Sequence, residues 1–343
     1  MLRSSTPWSV ALTLFAALSC SCSSSSEAEA PPTRTGLIAA DDTWPSGLTL
    51  SGNIVIGKNA TVNVAAGAKI KCAEGSTITI DGTLRVAAEG RRATISCSRW
   101  GGLVVQAGGA IDAVGLDLEN ARTGLLLREG ARDSRFEGGD IRNSINPFAL
   151  EKSTKLTLTN VKATTPAELG TDASNTICGG QSTSCGLVFG TLVASRLDYD
   201  QQGHEGILVY DGGELTIEDS HIHGNNSPGE AIWSLKGKKV TVRYTKMSGV
   251  HCGVHFEPVG SFELDHVEMA KNVYGARMFG SQEPSVIKDS NVAGNAILDL
   301  EMFGQNSQIT LENVFTSGKE NYQDGQPAKK NTPSAPVPGT GPR

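Results

Sequence analysis

Along the second half of the chain, apolar residues fall two and four positions before a bend residue, in pairs that recur at a nearly constant interval. The pairs are Leu156/Leu158, Leu215/Ile217, Val240/Val242, Phe262/Leu264 and Ile309/Leu311, and the bends are Asn160, Asp219, Tyr244, His266, Asp289 and Asn313. Only the copy at Asp289 slips, with Ser285 and Ile287 in those places. The last five bends are separated by 25, 22, 23 and 24 residues. A period of two is the strand period, so each pair points to one face, and helical spacing does not fit. After each bend the inward parity shifts to one and three residues later, as in Val161/Ala163, Ser220/Ile222 and Val267/Met269. A corner demands that shift, because the chain must turn while keeping its apolar side inside. Extended backwards, the bend column reaches Gly115, Gly138 and, past an insertion, Arg196. Most of its members are Gly, Asn or Asp, which tolerate a left-handed backbone.

A second column starts each following strand with Gly or Ala: Gly102-Leu103, Gly124-Leu125, Gly206-Ile207, Ala231-Ile232, Gly253-Val254, Ala296-Ile297. Two strand columns at constant phase predict an all-β parallel solenoid over residues 36–324, with each repeat one coil of about 11 in all. An antiparallel sandwich also has short strands between turns, but has no reason to keep the period constant.

Trp44, Leu50-Ser51-Gly52-Asn53-Ile54, Ala66-Gly67-Ala68-Lys69-Ile70, Asp81-Gly82-Thr83-Leu84 and Arg99-Trp100-Gly101-Gly102-Leu103 resemble the opening coils of bacterial right-handed parallel β-helix repeat proteins. The resemblance implies a single-stranded right-handed β-helix across nearly the whole mature chain. It says little of activity, since that family includes polysaccharide lyases and hydrolases, adhesins and envelope proteins.

Composition sharpens this picture in two ways. A net charge of −6 without a basic stretch excludes a nucleic-acid footprint. Aromatic content of 5% suits a narrow interior filled by stacked aliphatic side chains. The N-terminus carries Arg3, an apolar run from Val10 to Leu18 and then Ser19-Cys20. The run is too short to span a bilayer and reads as a secretory signal over residues 1–19. Ala17-Leu18-Ser19-Cys20 resembles a bacterial lipobox, with Ala where the family usually has Leu, which would make Cys20 the lipidated mature N-terminus; an ordinary cleaved signal is the alternative. Residues 20–35 then form a disordered tether and residues 325–343 a disordered Pro-rich tail. The expected location is the outer membrane or cell surface of a bacterium, with membrane contact through the lipid anchor alone.

Cys72 and Cys97 lie one period apart and should stack in neighbouring coils, either bridged or as two buried thiols. Cys178 and Cys185 sit in the one obvious insertion, near 168–185, where a disulfide would staple a Gly/Ser/Thr-rich loop. Cys252 is left over as a small buried hydrophobe.

Function on such a fold resides in ladders of outward side chains. In the central coils one outward column reads Leu208, Trp233, His255, Arg277 and the next reads Tyr210, Leu235, Glu257, Phe279. Tyr210, Trp233, His255, Glu257, Arg277 and Phe279 together suit a sugar chain, with rings against C–H surfaces and charged groups on hydroxyls. Carboxylates and imidazoles gather around Asp198, Asp200, His204, Glu205, Asp211, Glu214, Glu218, Asp219, His221, His223 and Glu230. Asp198, Asp200, Glu205 and Asp219 are the weak catalytic candidates for glycoside hydrolysis, which needs only two suitably spaced carboxylates. His221 and His223 share an outward face, but a zinc site needs three or four converging ligands, so no metal or cofactor is expected. The chain carries neither the motif set of polygalacturonase-like hydrolases nor the Trp-Ile-Asp-His region of pectate lyases. The reading is therefore a non-catalytic envelope or surface module that binds polysaccharide or an envelope protein, with a lyase or hydrolase and an adhesive rod as rivals.

Overall fold

The computed structural model describes residues 31–88, 90–168, 178, 184–304 and 306–343. The signal segment, Cys20 and most of the tether and of the 168–185 insertion lie outside the described residues. The rest is a parallel β-solenoid of about 12 turns.

Three strands per coil build it, and each stacks in register on its counterpart one coil away. In the central coils the first column runs through Ile207–Tyr210, Ile232–Leu235, Cys252–Glu257 and Tyr274–Met278. The second runs through Glu214–Glu218, Lys239–Arg243 and Ser261–Asp265. The third runs through His221–His223, Lys246–Ser248 and Glu268–Ala270. The inward pairs read from the sequence line one interior, with Leu215, Ile217, Val240, Val242, Phe262 and Leu264 all buried.

Between the second and third columns stands the bend column, and every residue assigned to it has a left-handed backbone. Gly115, Gly138, Asn160, Arg196, Asp219, Tyr244, His266, Asp289 and Asn313 all have φ between 46° and 74°. The inward slot after the bend accepts Ser or Thr because the corner supplies hydrogen bonds. Ser220 Oγ donates to the Glu218 carbonyl at 2.7 Å and accepts the Leu197 N–H at 3.0 Å. Ser290 does the same between Lys288 and Val267. Each hydroxyl is thus satisfied without leaving the core.

Three expectations change. The interior admits large rings: Trp44, Trp100, Tyr199, Phe136, Phe148 and Phe256 are its largest fully buried side chains. The end of the tether is ordered, since Thr33–Ile38 forms a strand paired with Thr49–Ile56. The Pro-rich tail is also placed. Ala328–Lys330 adds a strand to the second column, and the chain then returns along the bend column. Val337 exchanges two hydrogen bonds with the Asn291 side chain, Gly341 N–H donates to the His266 carbonyl at 2.9 Å, and the Arg343 guanidinium lies 3.6 Å from the Tyr244 ring centroid. Composition misses this because the tail is held by a few specific hydrogen bonds, the ion pairs and cation–π contact of Arg343, and the burial of Val337.

Both disulfides form, Cys72–Cys97 with Cα atoms 5.0 Å apart and Cys178–Cys185 with Cα atoms 5.9 Å apart. Among the described residues, no helix is long and apolar enough to cross a membrane.

Candidate functional site

The first column carries the outward stripe in the expected register. Leu187, Leu208, Trp233, His255, Arg277 and Glu301 face one another on consecutive rungs. Its early end is covered, because Cys178 and Cys185 pack with Ala149, Leu187 and Leu208 into an apolar cluster on the outside of the solenoid, against which Leu126, Phe189, Trp233 and Leu235 lean. Cys178 and Cys185 therefore cap Leu208, and the stripe opens at Trp233.

Beyond that point the rings stack on each other. Centroid separations are 5.8 Å for Trp233–His255, 5.7 Å for His255–Phe279 and 4.7 Å for Phe279–Phe303, with interplanar angles of 19°, 27° and 18°. Parallel strands put equivalent side chains one rung apart, which is close to ring-stacking distance. The faces of His255 and Phe279 are consequently occupied by neighbours, and their edges are what the surface presents. Arg277 lies against Tyr274, Phe279 and Phe303, 5.4 to 5.8 Å from each centroid, and its Nε is 2.8 Å from Glu301 Oε2. Tyr210 packs edge-on against Phe189 at 5.2 Å, and Glu257 Oε1 is 3.9 Å from His255 Nε2.

Beside this ladder lies a polar cluster. Glu230 Oε1 sits 3.3 Å from His251 Nδ1 and 3.2 Å from His255 Nδ1. Cys252 Sγ is 3.6 Å from the same His251 nitrogen. The Glu230 N–H donates to Glu205 Oε2 at 2.8 Å, which brings the two carboxyl groups close. Burial, reinforced by the Glu230 charge, pushes Glu205 above the ordinary carboxyl range. Burial also opposes ionisation of Glu230, but hydrogen bonds from His255, Glu205 and His251 outweigh it and hold Glu230 below that range. Burial pushes the Cys252 thiol up, and the charge of Glu230 adds to the effect. Cys252 is free and fully buried, as expected, but it stands apart from the main apolar cluster with His251 and Glu230 beside it.

The four weak catalytic carboxylates are distributed over three places. Asp198 and Asp200 face His221 and His223 across adjacent rungs of the third column, with His223 Nε2 3.1 Å from Asp198 Oδ1 and the two rings stacked at 4.4 Å. His221 Nε2 is engaged by Ser248 Oγ at 3.1 Å, and burial, then the neighbouring His223, lowers its pKa. Glu205 belongs to the cluster around Glu230. Asp219 is a bend residue whose carboxylate pairs with Arg343 at 3.0 Å.

Sequence reading reached the stripe but not Tyr274, Glu301 or Phe303, nor the joining of Glu230 to His251, Cys252 and His255. The available signal was the period itself: Glu230 is 21 residues from His251 and 25 from His255, one coil in each case. No known family model, curated protein or solved structure matches the chain. What is shown is the fold, a parallel β-helix of about 12 turns.

Proposed function

We propose that the protein is a non-catalytic binding module of the bacterial envelope that holds a hydroxyl-rich, glycan-type ligand along the stripe from Tyr210 to Phe303. The observation that carries this reading is the continuous half-buried band of Tyr210, Trp233, Glu257, Arg277, Phe279 and Phe303 on consecutive rungs. Because ring faces are taken up by the ladder, ring edges and the charged groups of Glu257 and Arg277 supply the contacts, each weak and additive along the chain of rungs. The two disulfides support an oxidising compartment, and export with an anchor at Cys20 fits that setting.

The test is retention of the protein on columns of immobilised neutral and acidic polysaccharides. Trp233→Ala and Glu257→Gln should each weaken retention at least about tenfold, the equivalent of about 1.4 kcal/mol, and Glu257→Gln should do so with an unchanged melting temperature. Equal retention of both variants on every column overturns the glycan reading in favour of a rod that mates with protein. Release of new reducing or unsaturated ends, abolished by Glu205→Gln, overturns the non-catalytic one.

A further inference from the structure

We propose that Glu230, His251, Cys252 and His255 form a binding site for a divalent transition-metal ion of the zinc class on the outer face of the solenoid. Zinc bonds of about 2.3 Å to sulfur and 2.0–2.1 Å to nitrogen or oxygen, at tetrahedral angles, place neighbouring ligand atoms about 3.6 Å apart for sulfur with nitrogen and about 3.3 Å for nitrogen with oxygen. The observed separations are 3.6 Å for Cys252 Sγ with His251 Nδ1, 3.3 Å for His251 Nδ1 with Glu230 Oε1, and 3.2 Å for His255 Nδ1 with Glu230 Oε1. The ligand atoms of Glu230, Cys252 and His255 also lie within 4.8 Å of one another. The three measured separations match three of the six edges of a coordination tetrahedron.

A proton relay with Cys252 as nucleophile does not fit the same atoms. In a relay the imidazole uses one nitrogen toward the thiol and the other toward the carboxylate. Here Sγ and the carboxylate oxygen both approach Nδ1 of His251. Donors that converge from three sides serve a bound ion, not a transfer along a line.

Burial and surroundings agree. Glu230 is 8% exposed and Cys252 0%, and the His255 side chain 14%, so three donors are withdrawn from water, while the His251 side chain, at 33%, leaves a way in. Carboxylates stand beside two of the ligand residues: Glu205 Oε2 accepts the Glu230 backbone N–H at 2.8 Å, and Glu257 lies 3.9 Å from the far nitrogen of His255. Such outer partners orient metal-bound groups. One thiol, two imidazoles and one carboxylate form a borderline donor set that suits zinc or cobalt, whereas calcium and magnesium take oxygen. On binding, the Cys252 thiol gives its proton to solvent and both histidines bind as neutral imidazoles through Nδ1. A bound ion would also explain a buried free thiol in a chain whose other described cysteines are bridged.

The experiment uses the full chain, stripped with a chelator and titrated with Co²⁺ and then Zn²⁺, and it needs no glycan. The expected result is one equivalent of Co²⁺ bound, visible d–d absorption, a near-ultraviolet thiolate-to-cobalt band, and displacement by Zn²⁺. Loss of an outer partner costs about 10–100-fold in affinity, so loss of a ligand in Cys252→Ser should cost at least about 100-fold and abolish the sulfur band. Glu230→Gln should weaken binding at least about tenfold while keeping the sulfur band, which provides a second variant should Cys252→Ser fold poorly. Absence of saturable binding, or a cobalt spectrum without the sulfur band, overturns the proposal. So does binding that Cys252→Ser and Glu230→Gln leave intact and His221→Ala removes, since that locates the ion on Asp198, His221 and His223 instead.

Discussion

Replacing Asn272 by Ala tests how the solenoid satisfies its corners. Asn272 is buried inside the turn between the third and first columns. Its Oδ1 accepts the Val250 N–H at 3.2 Å, its Nδ2 donates to the Met247 carbonyl at 3.1 Å, and its own N–H donates to Asn295 Oδ1 at 3.2 Å. Asn295 repeats the pattern one coil on, with Nδ2 donating to the Met269 carbonyl at 3.1 Å. The alanine variant keeps the backbone bond to Asn295 and strands one donor and one acceptor. A buried polar group left without a partner costs about 1–3 kcal/mol, so the pair should cost about 3 kcal/mol, near the lower half of the summed range if a water enters. An unfolding entropy of about 2.1 cal/mol/K per residue over roughly 310 residues gives about 0.65 kcal/mol/K, and thus a fall in Tm of about 5 °C. Circular-dichroism melts measure it, and hydrogen exchange at the Val250 amide should quicken while amides several coils away do not, because stability in a stack is set between neighbours. Asn272→Asp separates the two bonds, since it keeps the acceptor for Val250 but turns an acceptor toward the Met247 carbonyl. A melting temperature for Asn272→Ala within about 1 °C of the parent would refute the claim that this side chain replaces missing backbone partners.

Four further outcomes follow from the fold. Removing the Cys72–Cys97 bridge by double substitution to Ala should cost about 3.5 kcal/mol, the chain-entropy value for a loop of 25 residues, read as a lowered denaturant midpoint; an unchanged midpoint contradicts it. Gly102 has φ +101° and a Cβ there would collide with the Thr123 carbonyl, so Gly102→Ala should destabilise by on the order of 4 kcal/mol, checked by thermal melting. Although burial opposes its charge, Glu263 is held below the ordinary carboxyl range by hydrogen bonds from Lys288 and Arg243, so its contribution is present above the unfolded value and lost as pH falls through the folded one. Melting temperatures from pH 7 to pH 3 should drop less steeply for Glu263→Gln than for the parent. Arg343→Ala removes the contacts to Tyr244, Asp219 and Glu218, and limited proteolysis should then clip residues 325–343 faster.

Alternation and phase along the chain are enough to specify the solenoid, its inward pairs and its corners, because those depend on short-range pattern and on which residues tolerate a left-handed backbone. Tyr244, His266 and Arg196 were placed at corners by phase alone, against their residue types, and all three have positive φ. Phase also placed Trp233, His255 and Arg277 on one stripe. What that stripe touches emerges only in the folded lattice. Stacking brings residues a whole coil apart to within about 5 Å, so Glu230 meets His251, Cys252 and His255 although no local motif joins them. Stacking likewise turns the faces of His255 and Phe279 toward their neighbours and away from solvent. The capping of Leu208 by Cys178 and Cys185, and the return of the tail to Tyr244, rest on a few specific contacts and not on any period. Periodicity encodes the lattice, whereas contacts between coils and across its surface arise only once the lattice has formed.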